Sequence, residues 1–101
     1  MGRRRKLTPR SRHPTEERMY ALAGMLRDGY DPQYAATFTS FLDAGEPVVG
    51  MEILCDQLLD DEVSIEATLF QEIEELARLV QMQPKYWERL HTQVSGGGGL
   101  R

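Results

Sequence analysis

With 101 residues, 41% of them apolar, the chain is long enough for one domain with a modest core and too apolar for wholesale disorder. No apolar run approaches the roughly 18 residues that a membrane-spanning helix requires, and a single cysteine, Cys55, excludes an internal disulfide. The net charge of −4 conceals a polarised chain. Residues 1–12 carry six basic groups and no acid, whereas residues 13–101 carry six basic groups against sixteen acids. Between Arg27 and Arg78 there are thirteen carboxylates and no Lys or Arg. So one-signed a stretch opposes its own compaction and points to a basic partner. Met1 to Lys6 has the charge of a signal-peptide start, but Pro, Ser, Arg and His follow instead of an apolar stretch, and a cytoplasmic protein is expected.

Residues 1–14, basic and broken by Pro9 and Pro14, are expected to form a disordered arm. Thr15 is placed to cap a first helix, with Glu16 and Glu17 at its positive end, Met19, Leu22, Ala23 and Leu26 at helical spacing, and Gly29 as a left-handed stop. Asp31-Pro32 restarts the pattern, and Tyr34, Phe38, Phe41 and Leu42 form an apolar face that ends at Gly45. Glu46-Pro47 opens a third helix with Val48, Met51, Leu54, Cys55, Leu58 and Leu59 inward. Asp60-Asp61-Glu62 should close it poorly, because negative charge opposes the dipole there.

Ser64 can cap a fourth, longer helix bearing Leu69, Ile73, Leu76 and Val80, with Glu74 and Arg78 as a surface pair. Pro84 starts a short last helix carrying Trp87 and Leu90, and residues 95–101 have a flexible-linker composition. No segment alternates with period two over a useful length. The expected fold is all-α, a compact single-domain bundle of about five short helices over residues 15–94.

Catalytic patterns are missing from the sequence. His13 and His91 lie near opposite ends, and there is no HExxH, GxSxG, CxxC or glycine-rich phosphate loop. Asp56, Asp60, Asp61 and Glu62 lack the alternating spacing and central glycine of a calcium loop, so neither metal nor cofactor is expected. Cys55 falls on the apolar side of its helix and reads as packing.

More informative is the third helix, where Glu52, Asp56 and Asp60 fall at i, i+4 and i+8, with Val49 and Ile53 along the same side. An acidic rim around exposed aliphatics suits protein docking. Alternatively, Val49 and Ile53 contact another helix and the acids only face water. The basic arm has open readings as well: contact with phosphates or an anionic surface, or else a tail that is simply solvated or that lies across the domain's own acidic face. No aromatic is interleaved with its charges, and an acidic domain follows it.

The run Phe41-Leu-Asp-Ala-Gly-Glu-Pro-Val-Val-Gly-Met-Glu-Ile-Leu-Cys-Asp-Gln-Leu-Leu-Asp-Asp-Glu-Val-Ser-Ile65 resembles the MafI family of bacterial immunity proteins. In that family a helix leads into a Gly-Glu turn, then a Leu-Glu-Ile-Leu-Cys-Asp-Gln-Leu-like helix and an acidic loop. The spacing continues through Ile73, Leu76 and Met82 to Tyr86-Trp87-Glu88-Arg89-Leu90, so the resemblance covers about residues 36–90. Val48-Val49-Gly50-Met51 departs from the family pattern, and Gly50 costs a helix interior roughly 1 kcal/mol relative to Ala. The resemblance implies a non-catalytic inhibitor of a cognate secreted toxin. Such toxins are often nucleases, whose basic clefts an acidic domain would block.

The contacts expected on this reading are Glu52, Asp56, Asp60, Asp61 and Glu62, with Ile53 as apolar anchor. A rival reading is a nucleic-acid-associated regulator that uses the basic arm, with the acidic domain on another protein; a third is a hydrolase with paired carboxylates.

Overall fold

A computed structural model of the protein describes residues 13–95. The arm expected over residues 1–14 lies outside the described residues as far as residue 12, as does the glycine run from residue 96. The fold is all-α: α1 (Pro14–Gly29), α2 (Pro32–Asp43), α3 (Pro47–Asp60), α4 (Ala67–Leu79) and α5 (Pro84–Trp87), the last continuing as a 3₁₀ segment (Glu88–Gln93). A two-residue parallel pairing of β1 (Ile65–Glu66) with β2 (Val94–Ser95), in register Ile65 to Val94, fastens the segment after the 3₁₀ turns to the start of α4.

Four of the five helices begin with proline in the first turn, where its missing N–H would have no helical partner. Asp31 caps α2 by accepting from the Gln33 N–H at 2.9 Å. The cap of α1 is His13 and not Thr15: its Nδ1 accepts from the Thr15 N–H at 3.1 Å, and Pro14 already belongs to the helix. Gly29 remains helical instead of turning left-handed, and the chain leaves α1 through an extended Tyr30. Ser64 does not cap α4, because Ile65 and Glu66 are diverted into the strand pair and the helix starts at Ala67.

Helices α2, α3 and α4 share one terminating device. A left-handed residue follows each cap (Gly45, φ 77°; Glu62, φ 51°; Gln81, φ 60°). The next N–H then bonds back to a carbonyl of the last turn, as from Glu46 to Phe41 at 2.8 Å, Val63 to Leu58 at 3.1 Å and Met82 to Ala77 at 2.8 Å. This corrects the expectation that α3 closes poorly. Its terminal carbonyls are satisfied by neutral donors, and the Gln93 carboxamide adds bonds to Leu58 O (2.9 Å) and Val63 O (2.8 Å).

Packing follows the apolar spacing. Helix α1 lies against α2 and α4, α2 against α3, and the C-terminal turns close over α3 and α4. Every fully buried side chain among the described residues is apolar, with Leu22, Phe38, Met51, Leu58, Ile73 and Leu90 among the most enclosed. Gly50 has a packing reason. A Cβ there would stand 2.9 Å from Phe41 Cβ and 3.3 Å from the Phe38 ring, so the glycine lets α3 approach α2. Arg18 links α1 to α4, donating from Nε to Glu72 at 3.0 Å and from Nη2 to Glu72 at 2.9 Å and Glu75 at 2.6 Å. Those hydrogen bonds hold the guanidinium more firmly protonated than usual.

Candidate functional site

Successive residues of α3 project about 100° apart, which divides the helix into arcs. Gly50, Met51, Leu54, Cys55 and Leu58 fill the buried arc. Val49, Asp56 and Asp60 occupy the opposite arc and are exposed, while Glu52 and Leu59 on one flank and Ile53 and Gln57 on the other are half-buried. The Ile53 flank is the one that Gly50 borders, towards Phe38 and Phe41 of α2.

The two aliphatics named from the sequence differ in exposure. Ile53 is partly covered, whereas Val49, which the expected contact set omitted, is 37% exposed in the middle of the acidic arc. The 100° spacing already sets Val49 on the acidic side, between Asp56 and Asp60, with Ile53 on the flank towards α2.

Asp61 and Glu62 are also exposed, but they lie past the helical arc and have structural duties. Asp61 Oδ2 accepts the Tyr34 hydroxyl at 2.6 Å, and Glu62 is the left-handed residue of the α3 terminus. Burial, reinforced by that hydrogen bond, pushes the Tyr34 hydroxyl up to about 12. Burial also pushes the Cys55 thiol up to about 12, with the charges of Asp56 and Glu52 adding to it. A thiol so disposed is packing and not a nucleophile. Among the described residues, no group of three or more His, Cys, Asp or Glu side chains is placed to hold a metal ion. What the α3 face offers is a row of anionic oxygens around one aliphatic.

A second surface feature went unanticipated. Phe70, Glu74 and Arg78 of α4, with Trp87, Glu88, Arg89 and His91, line an open groove of about 660 Å³. Phe70 packs at 6.4 Å from the Trp87 ring centroid and edge-on to His91 at 5.9 Å. The Arg78 guanidinium sits 5.1 Å over the Trp87 ring while bonding Glu74 at 2.8 Å, the surface pair expected from the sequence.

The chain matches no family model, no curated protein and no solved structure. Among the described residues, no helix is long and apolar enough to cross a membrane. The functional reading rests on these surfaces and on the sequence of α3.

Proposed function

We propose that the protein is a non-catalytic immunity protein of MafI type, which binds and neutralises a cognate bacterial toxin in the cytoplasm through the acidic face of α3. One observation carries the reading: Asp56 and Asp60 stand exposed with Val49 on the outward arc of the helix whose sequence is the most MafI-like part of the chain. Carboxylates in this position steer a basic partner at long range. Val49 supplies an aliphatic contact that becomes buried on docking, and Glu52 extends the acidic rim. A basic nuclease domain is a partner of the right charge. The rival reading through the basic arm depends on residues 1–12, and nothing among the described residues favours it.

The test pairs Glu52→Lys and Asp56→Lys in one variant, produced in cells alongside a candidate cognate toxin with a basic nuclease domain. Protection and the association rate should both fall, with the helical circular dichroism unchanged. A variant that protects as well as the parent would remove the α3 face from the toxin contact.

A further inference from the structure

Residues 1–12, which the proposed toxin contact leaves unused, carry Arg3, Arg4, Arg5, Lys6, Arg10 and Arg12 and no acid. Residues 13–95 carry five basic groups against sixteen acids, and those five are unevenly placed. Arg18 and Arg78 pair with Glu72, Glu75 and Glu74 of α4, and Arg27 pairs with Asp28 of its own helix. Lys85 and Arg89 belong to the C-terminal turns. Helices α2 and α3 hold no Lys or Arg. Among the described residues, no cation lies within ion-pair distance of Glu52, Asp56 or Asp60. The outward arc of α3 thus carries its negative charge uncompensated by the cations of the folded domain, with Val49 exposed among the carboxylates.

The fold delivers the arm to that arc. The Tyr20 hydroxyl donates to Asp43 Oδ1 at 2.6 Å, so the start of α1 meets the end of α2, and α3 begins four residues later at Pro47. Twelve extended residues span about 40 Å, whereas the 14 residues of α3 span only about 21 Å. In the arm, Leu7 stands between Lys6 and Arg10, as Val49 stands between Asp56 and Asp60 on α3.

We propose that residues 3–12 dock on the outward arc of α3 of the same molecule, their cations on Glu52, Asp56 and Asp60 and Leu7 against Val49. Charge and reach together single out this occupant. A tether of this length holds the arm at an effective concentration in the millimolar range. Weak contacts between exposed charges then suffice, and salt screens them. A basic toxin domain would have to displace the arm from α3, a consequence that rests on the toxin reading; the arm contact itself does not.

The test compares ¹⁵N spectra of the full-length protein at low ionic strength with those of a full-length variant carrying Arg3→Gln, Arg4→Gln, Arg5→Gln and Lys6→Gln. The backbone resonances of Val49, Glu52, Asp56 and Asp60 should differ between the two, and the difference should vanish in about 0.5 M salt. It should not depend on protein concentration, and it should be lost when both proteins also carry Asp56→Asn and Asp60→Asn. Equal spectra at these positions, or differences centred on Glu16, Glu72 and Glu75, would overturn the proposal. Differences that fade on dilution would overturn it too, by placing the arm of a second copy on the face. Every outcome is read without toxin, so failure here is distinct from failure of the toxin contact, which is read as protection.

Discussion

The hydroxyl of Tyr34 donates to Asp61 Oδ2 at 2.6 Å, joining the first turn of α2 to the residue that caps α3. Asp61 thus has one oxygen committed inside the fold, and its replacement would confound folding with partner binding. Tyr34→Phe isolates the fold's share and should cost about 1 kcal/mol at neutral pH, by urea denaturation. Folding holds the phenol protonated, its pKa rising from an ordinary 10 to about 12. The resulting stability is full below pH 10 and is lost as pH rises through 12. The parent should therefore lose its advantage over Tyr34→Phe across that window; an unchanged difference would mean that the hydroxyl is not linked to folding.

Gly50→Ala should destabilise the protein, although helix propensity alone favours alanine by roughly 1 kcal/mol. The added Cβ would meet Phe41 Cβ at 2.9 Å, and α3 would have to move off α2. Overpacking of this kind costs about 1–3 kcal/mol, so the midpoint in urea should fall. A rise would show that the two helices separate cheaply.

The contrast at Gly50 shows what the sequence made legible. The starts of α2, α3 and α5 and the inward arc of α3 were readable because proline, the Asp31 cap and 100° spacing act within a few residues, whereas His13 and not Thr15 caps α1 and the strand pair moves the start of α4 past Ser64. The reason for Gly50 was not, since Phe38 and Phe41 lie on another helix. Nor were the left-handed turns at Glu62 and Gln81, where no glycine marks the position and the chain turns back to place Val63 and Met82 against the core. The aromatic groove was hidden for the same reason: Phe70 and His91 become neighbours only once the C-terminal turns pack on α4.

Gln81→Gly should stabilise the protein by about 0.5–1 kcal/mol. A left-handed backbone costs a non-glycine residue about 1–2 kcal/mol, and glycine's greater freedom in the unfolded chain takes back part of the gain. Gln81 is exposed at φ 60°, so little packing is lost. Thermal melting should show the higher midpoint; a lower one would mean that the Gln81 side chain holds the turn.

Cys55 should resist thiol reagents in the native state. It is fully buried, and its thiol is pushed up to about 12. Labelling by an aromatic disulfide should then require global unfolding, and its rate should climb with urea in step with the loss of helical circular dichroism. Rapid labelling in buffer would show that α3 opens locally.

Asp56→Lys should separate stability from binding on the proposed contact face. Asp56 lies one turn from both Glu52 and Asp60, and like charges at this spacing each cost a few tenths of a kcal/mol. Lysine converts both pairs into attractions, with Glu52 in the favourable N-terminal position, and has the better helix propensity. The variant should be more stable by about 1 kcal/mol at low ionic strength, a gain that shrinks in 0.5 M salt as these exposed charges are screened. If α3 meets the toxin through this arc, the more stable protein should nevertheless protect less well. Such a result would place the repulsion among Glu52, Asp56 and Asp60 with other functional surfaces that hold a fold below its optimum. A less stable variant would instead show that Asp56 supports the fold.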